Sequence, residues 1–236
     1  MLKSFARGTL RVYIPSMTNA YNLKWTEGNA KLAKTGGDVY RVLGYGIPAD
    51  YNMEGGGNTC PGASACRGVC YAKQGRYIMA GVKNARLHNL TAYLENPSTF
   101  ADKATADLTR LSRRYNVVRI HDSGDFFSQE YLDAWKVIAS RFPAVIFYAY
   151  TKSLHLDLSA LPDNLRIVQS LGGKHDEKVN LQASHARIFA TDADRIAAGY
   201  VDGNVNDLPA IEGVTRIGLV YHGVKKLTEA QNKYFS

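Results

Sequence analysis

The sequence predicts an α/β protein built as a (β/α) TIM-like barrel, partial or with eroded helices, behind an N-terminal lead-in of strands and a hairpin. Three observations carry that expectation. Apolar or β-branched runs recur at NVVRIH (116–121), AVIFYAY (144–150), LRIVQS (165–170), ARIFAT (186–191) and TRIGLVYH (215–222). Helical periodicity separates the earlier runs, and strands alternating with helices or loops pair in parallel through right-handed crossovers. The later runs follow one another at spacings of about 20 to 30 residues, which leaves little room for full helices. A doubly wound open sheet is the alternative.

The elements follow in order. Residues 1–50 read as the lead-in, with Gly36-Gly37 of KLAKTGGDVYRVL marking a hairpin turn between two alternating runs. A cysteine loop at 55–71 opens with Gly55-Gly56-Gly57, and the barrel body occupies 72–236. Ile78, Val82, Ala85, Leu90, Tyr93 and Leu94 recur at helical spacing over 76–94, and Pro97 ends that helix. The next helix turns Phe100, Ala104, Leu108 and Leu111 inward and closes on a basic turn that suits its dipole. Ser128 caps a helix carrying Tyr131, Trp135 and Ile138 on one face. AVIFYAY is the near-continuous apolar run of a strand covered on both faces.

At 236 residues and 45% hydrophobic content the chain forms one domain, 1–236. No N-terminal apolar run makes a signal peptide, and no segment approaches the roughly 20 apolar residues of a membrane span. A soluble protein of the cytoplasm follows, where thiols stay reduced. Lys and Arg number 29 against 21 Asp and Glu, a net charge of +8. The positive charge is dispersed, so a solvated basic surface accounts for it better than a dedicated nucleic-acid face, although nucleic acid stays a candidate partner.

All three cysteines, Cys60, Cys66 and Cys70, fall in TCPGASACRGVCYA with the spacing C-x5-C-x3-C. Disulfide frameworks favour even counts and secretion. A structural zinc would need a fourth protein ligand. A [4Fe-4S] cluster can sit on three thiolates and leave one iron for a non-cysteine group, so the loop is read first as a cluster site and second as zinc.

HDSGDFFS (121–128) is the second dense motif. It brings His121, Ser123, Gly124 and Asp125 to the end of an apolar strand. In a barrel of this kind the chemistry sits at the strands' C-terminal ends. Asp125 is a candidate to hold an ammonium group, bind metal or act as a base, with a helix-cap role as the structural alternative. Gly124 lets the chain turn and a ligand approach its backbone. Asp122 stands at the same strand end, and the other strand ends supply Tyr150, Thr151, Lys152, Gln169, Ser170, Thr191, Asp192, Tyr221 and His222. Asp125, Lys152 and His121 are the candidate catalytic residues, and Ser123, Gly124, Asp125, Tyr150 and Gln169 the candidate cofactor contacts. Tyr148 and Tyr150 share one strand face, opposite Phe147 and Ala149. Lys152 suits a carboxylate or phosphate, whereas Arg119, His155 and His175 read as structural or surface residues.

The ordered set CPGASACRGVCYA, RIHDSGDFFSQEYLDAW and FYAYTKS resembles phage and prophage proteins of the gene-product-88 type over roughly 30–190. That resemblance implies a viral or prophage origin, hence a host cytoplasm. A more distant architectural resemblance is to radical S-adenosylmethionine (SAM) enzymes. It implies a [4Fe-4S] cluster on the cysteine loop, SAM at the open iron, and Ser123-Gly124-Asp125 near the methionyl amine. Here the spacing departs from their C-x3-C-x2-C, and Val69 stands before the last cysteine where an aromatic is usual. Two functions stay open. One is a cluster enzyme acting on an unnamed small molecule with electrons from a host donor; the other is a zinc- or cluster-stabilised phage accessory protein that binds nucleic acid.

Overall fold

The computed structural model describes residues 22–27, 30–37, 39–221 and 228. Strands β1 (Val42–Gly44), β2 (Val117–Ile120), β3 (Ile146–Thr151), β4 (Leu165–Ser170), β5 (His185–Phe189), β6 (Val201–Asp202) and β7 (Arg216–Val220) form one sheet. Its spatial order is β1-β2-β3-β4-β5-β7-β6, and every neighbouring pair is parallel. The sheet curls into a half-barrel and does not close among the described residues, in keeping with the partial form of the expected barrel and not with a complete TIM barrel. A closed barrel needs strand number, tilt and stagger to match, and short edge strands such as β1 and β6 do not meet that condition.

The hairpin expected at Gly36-Gly37 is corrected. Ala30–Gly36 is a helix, α1, and Gly37 at φ +47° is its left-handed stop. Lys31, Leu32, Ala33 and Lys34 are good helix formers, and Leu32 is buried, so propensity and packing agree against a strand. Residues 1–21 of the lead-in lie outside the described residues.

Between β1 and β2 run the cysteine loop with its single turn α2 (Cys66–Val69), then α3 (Ala80–Leu94) and α4 (Pro97–Leu111). Helix α5 (Gln129–Ser140) crosses from β2 to β3; its cap is Ser128, whose hydroxyl accepts a hydrogen bond from the Tyr131 amide at 3.2 Å. No α-helix separates β3, β4 and β5, as the short spacings predict, and only the short helices α6 (Asp192–Ala197) and α7 (Leu208–Ile211) follow. The inward face of α3 differs from the apolar set expected: Arg86, Asn89, Leu90, Ala92 and Tyr93 are buried, while Ile78 and Leu94 are exposed. Its polar members anchor the site, as shown below. Among the described residues no helix is long and apolar enough to cross a membrane.

Strand alternation divides the core. Leu43, Val118, Ile120, Phe147 and Ala149 turn outward onto Leu90, Phe100, Leu108, Tyr131 and Trp135 of α3–α5. Val42, Val117, Tyr148, Val168, Ala186 and Ile217 turn inward and meet Leu32 of α1 and Ala210 and Ile211 of α7. The first half of the concave face is thereby filled with apolar side chains. The second half, toward the strands' C-terminal ends, is left open.

Candidate functional site

That open half is a cavity of about 530 Å³, walled by Arg119 of β2, Tyr150 of β3, Ser170 of β4, Ile188 of β5 and Leu219 of β7. Cys60, Cys66 and Cys70 form its lid side. The cysteine loop is pinned along its length. Thr59 Oγ1 donates to the Pro48 carbonyl at 2.6 Å and accepts from the Tyr51 amide at 3.0 Å. The Asp50 amide donates to Cys60 Sγ at 3.3 Å, and the Asp50 carboxylate pairs with both Arg67 and Lys73. Mid-loop, Gly62 lies against the backbone just past β3: a Cβ there would stand 2.0 Å from the Lys152 carbonyl oxygen, and the Lys174 amide donates to the Gly62 oxygen at 2.9 Å. Past the last cysteine, Tyr71 and Tyr77 both donate to the Asp122 carbonyl, at 2.6 and 3.3 Å. Arg86 of α3 pairs with the Asp122 carboxylate at 2.6 Å and lies over the Tyr77 ring.

All three cysteines are free thiols. Burial, with the Asp125 charge nearby, pushes the Cys60 thiol up to about 12, and burial also raises Cys70. Such thiols ionise on meeting a metal, which displaces the proton. Among the described residues no three His, Cys, Asp or Glu side chains form a group that could hold one metal ion, and the three cysteines line the same cavity.

The strand-end turn behaves differently from its reading as a row of reactive side chains. Gly124 takes φ +85°, and a Cβ would lie 2.3 Å from Ile47 Cγ1, so only glycine fits. Asp125 is buried and committed: its carboxylate accepts from the Phe126 amide (2.8 Å), Thr151 Oγ1 (2.6 Å) and the Lys152 amide (2.9 Å). It clamps the ends of β2 and β3. His121 borders the cavity, yet its ring packs against Tyr45, Phe126, Tyr131 and Trp135, with one nitrogen 3.1 Å from the Tyr131 hydroxyl. Ser123 lines the cavity with its buried hydroxyl unpartnered.

Of the remaining candidates, Tyr150 and Lys152 line the cavity, and Lys152 Nζ donates to the Leu171 carbonyl at 3.0 Å. Gln169 does not line it: the residue pairs with Thr151 across the sheet, on the outward parity, and accepts from the Asn180 amide. Its neighbour Ser170 takes the inward position. Thr191 caps α6 and Asp192 pairs with Arg195, so neither joins the cavity. Tyr221 lines it, while His222 lies outside the described residues. The residue that the sequence reading missed is Arg119, together with Lys31 of α1; both line the cavity and both pair with buried Asp207. The available signal was parity, since Arg119 lies opposite Tyr148 on the face that also carries Tyr150.

These features define an α/β half-barrel protein with a cysteine-walled cavity at the C-terminal ends of its parallel strands. The chain belongs to the gene product 88 family, whose profile matches residues 22–233. It is 33% identical over 142 residues to the gene 88 protein of Mycobacterium phage D29 and 32% identical over 142 residues to that of Mycobacterium phage L5. Each alignment covers 51% of this chain, and the chain spans 59% of the length of each relative. No solved structure matches. None of these comparisons supports the resemblance to radical SAM enzymes.

Proposed function

We propose that the chain is an iron–sulfur protein in which Cys60, Cys66 and Cys70 hold one [4Fe-4S] cluster beside a small-molecule cavity. The makeup of the cavity wall is what supports this. Three thiols come from one pinned loop, while Asp125 already accepts three hydrogen bonds and the His121 ring is packed among aromatics. Zinc at this wall would want a fourth protein donor. A cubane takes its three cysteines on three separate irons and leaves the fourth iron to a non-cysteine group, so three thiols suffice for it. The Asp50 amide aimed at Cys60 Sγ is the kind of hydrogen bond that stabilises a ligating thiolate.

When bound, the cluster supplies one-electron transfer or a Lewis-acidic iron without a cysteine. The protein's part is to hold the loop through Asp50, Arg67, Lys73, Tyr71 and Tyr77, and to position a ligand against it through Tyr150 and the strand-end backbone. On this reading the protein is an enzyme acting on a small molecule. Its phage relatives support a phage-encoded protein; a host electron donor and a place in the host cytoplasm belong to the cluster reading itself. SAM is one ligand to be tried, although the committed Asp125 carboxylate is poorly placed to receive its amine.

Anaerobic purification with iron and sulfide analysis tests the proposal. About four irons with matching sulfide per chain are expected. Cys60→Ala, Cys66→Ala and Cys70→Ala are each expected to abolish the visible absorbance. One zinc per chain and no sulfide would overturn the reading. An electron paramagnetic resonance signal of the reduced cluster that shifts on adding SAM would identify SAM as the ligand, and an unchanged signal would leave that place to another molecule.

A further inference from the structure

The interior end of the cavity holds a charge arrangement that the cysteine loop does not account for. Asp207, fully buried, pairs with Lys31 at 2.7 Å and Arg119 at 2.8 Å and accepts from the Tyr148 hydroxyl at 2.8 Å. One cation would neutralise it, yet two are present. Arg119 is more than nine-tenths buried, and its Nη1 donates to Asp207. Its Nε–H, on the side-on edge of the guanidinium, has no partner among the described residues. The Tyr150 hydroxyl, on a ring 5.7 Å from that guanidinium, is likewise buried and unpartnered. Both residues, and Lys31, line the cavity.

Buried donors without acceptors are costly, and two on neighbouring side chains that line one cavity, next to a surplus positive charge, describe the receiving half of an oxyanion contact. Side-on arginine with a neighbouring hydroxyl is the geometry that grips carboxylate or phosphate, and a lysine alone would not replace it. Lys152, the candidate suggested by sequence for this task, spends its ammonium on the Leu171 carbonyl. A cavity of about 530 Å³ holds a small organic molecule with room to span from Arg119 to the cysteines.

We propose that Arg119, Tyr150 and Lys31 form an oxyanion subsite that takes the carboxylate or phosphate of a small organic anion whose other end faces the cysteine loop. The subsite depends on the cavity and not on the cluster.

Isothermal titration of the full chain with inorganic phosphate and with succinate, against a chloride control, tests it. The titrations are run before and after reconstitution with iron and sulfide, so failed cluster assembly does not obscure the result. Saturable binding of at least one anion is expected in both forms. Phosphate alone would assign a phosphorylated ligand, and succinate alone a carboxylate. Tyr150→Phe removes only the unpartnered hydroxyl, so affinity is expected to fall about ten-fold with an unchanged melting temperature. Arg119→Gln is expected to abolish binding, and Tyr150→Phe carries the test if that variant does not fold. No saturable binding of either anion, or wild-type affinity in Tyr150→Phe, would overturn the proposal.

Discussion

At the end of β2 the His121 backbone turns to φ +62°, and the ring, at the cavity border, packs into the outer aromatic core. Burial alone pushes its pKa from 6.5 to about 3. The unfolded chain therefore takes up a proton near pH 6.5 that the folded chain refuses until about pH 3. Stability from the neutral ring is complete above pH 6.5 and is lost as the pH falls below it. Between pH 7.5 and 5 the loss attributable to His121 is about 2 kcal/mol. His121→Asn tolerates positive φ and does not titrate, so its urea midpoint is expected to be lower at pH 7.5 yet to fall less on going to pH 5. An equal fall in both proteins would show that His121 is not the titrating group. This residue also marks what sequence could deliver at this scale. Polarity at a strand end located the turn, but only the backbone angle says where the ring points. Asp125 is similar: its position was legible, while its three hydrogen-bond donors come from residues up to 27 positions away. Arg119 went unrecognised because one charge in an apolar strand does not reveal which face is hollow.

The cysteine loop is the element on which any metal reading rests, and its glycines are specific in different ways. Gly62 touches the Lys152 backbone, whereas Gly81, in the first turn of α3, meets nothing within 4 Å of an added Cβ. Gly62→Ala is expected to push the loop off the Lys152 backbone, cutting the iron incorporated on reconstitution by more than half and leaving the helical circular dichroism intact. Gly81→Ala is the control, expected to hold iron normally and to gain up to about 1 kcal/mol of stability from helix propensity. Normal iron loading in Gly62→Ala would remove the contact with Lys152 from the account of how the loop is set. The loop, α4 and the Ser128-capped helix α5 were legible because their signals are local: glycine and cysteine spacing, the helical recurrence of Phe100, Ala104, Leu108 and Leu111, and a serine cap, whereas Pro97, read as the end of the preceding helix, opens α4. The helix α1 was misread because a Gly-Gly pair ends helices as readily as it turns hairpins. What decided between them was Leu32, buried on the concave face by contacts remote in sequence.

For the molecule as a whole, parallel pairing and an incomplete barrel were legible from the alternation and short spacing of the runs, while the edge order β5-β7-β6 was not, since the two-residue strand β6 leaves no apolar run in the sequence. Among the described residues the base of the half-barrel is filled by a plug: α1 and α7 close it with Leu32, Ala210 and Ile211, and Asp207 ties that base to β2 and β3. Four elements thus meet at one carboxylate. Asp207→Leu leaves Arg119 and Lys31 without their shared counter-charge and the Tyr148 hydroxyl without an acceptor, and is expected to cost about 3 to 5 kcal/mol. Arg119→Met in the same chain removes the more deeply buried of the two stranded cations, while Lys31, about a quarter exposed at its side chain, can turn toward water. The double variant is therefore expected to recover at least about 1.5 kcal/mol relative to the sum of the single changes, measured as a urea double-mutant cycle. Additive losses would mean that Asp207 is held by its Thr35, Tyr148 and Lys31 contacts and that Arg119 is not part of the tie. Coupling of the expected size would show that the ion pair under the cavity fastens the plug to the sheet, so that the base of the fold and the floor of the site are the same group of atoms.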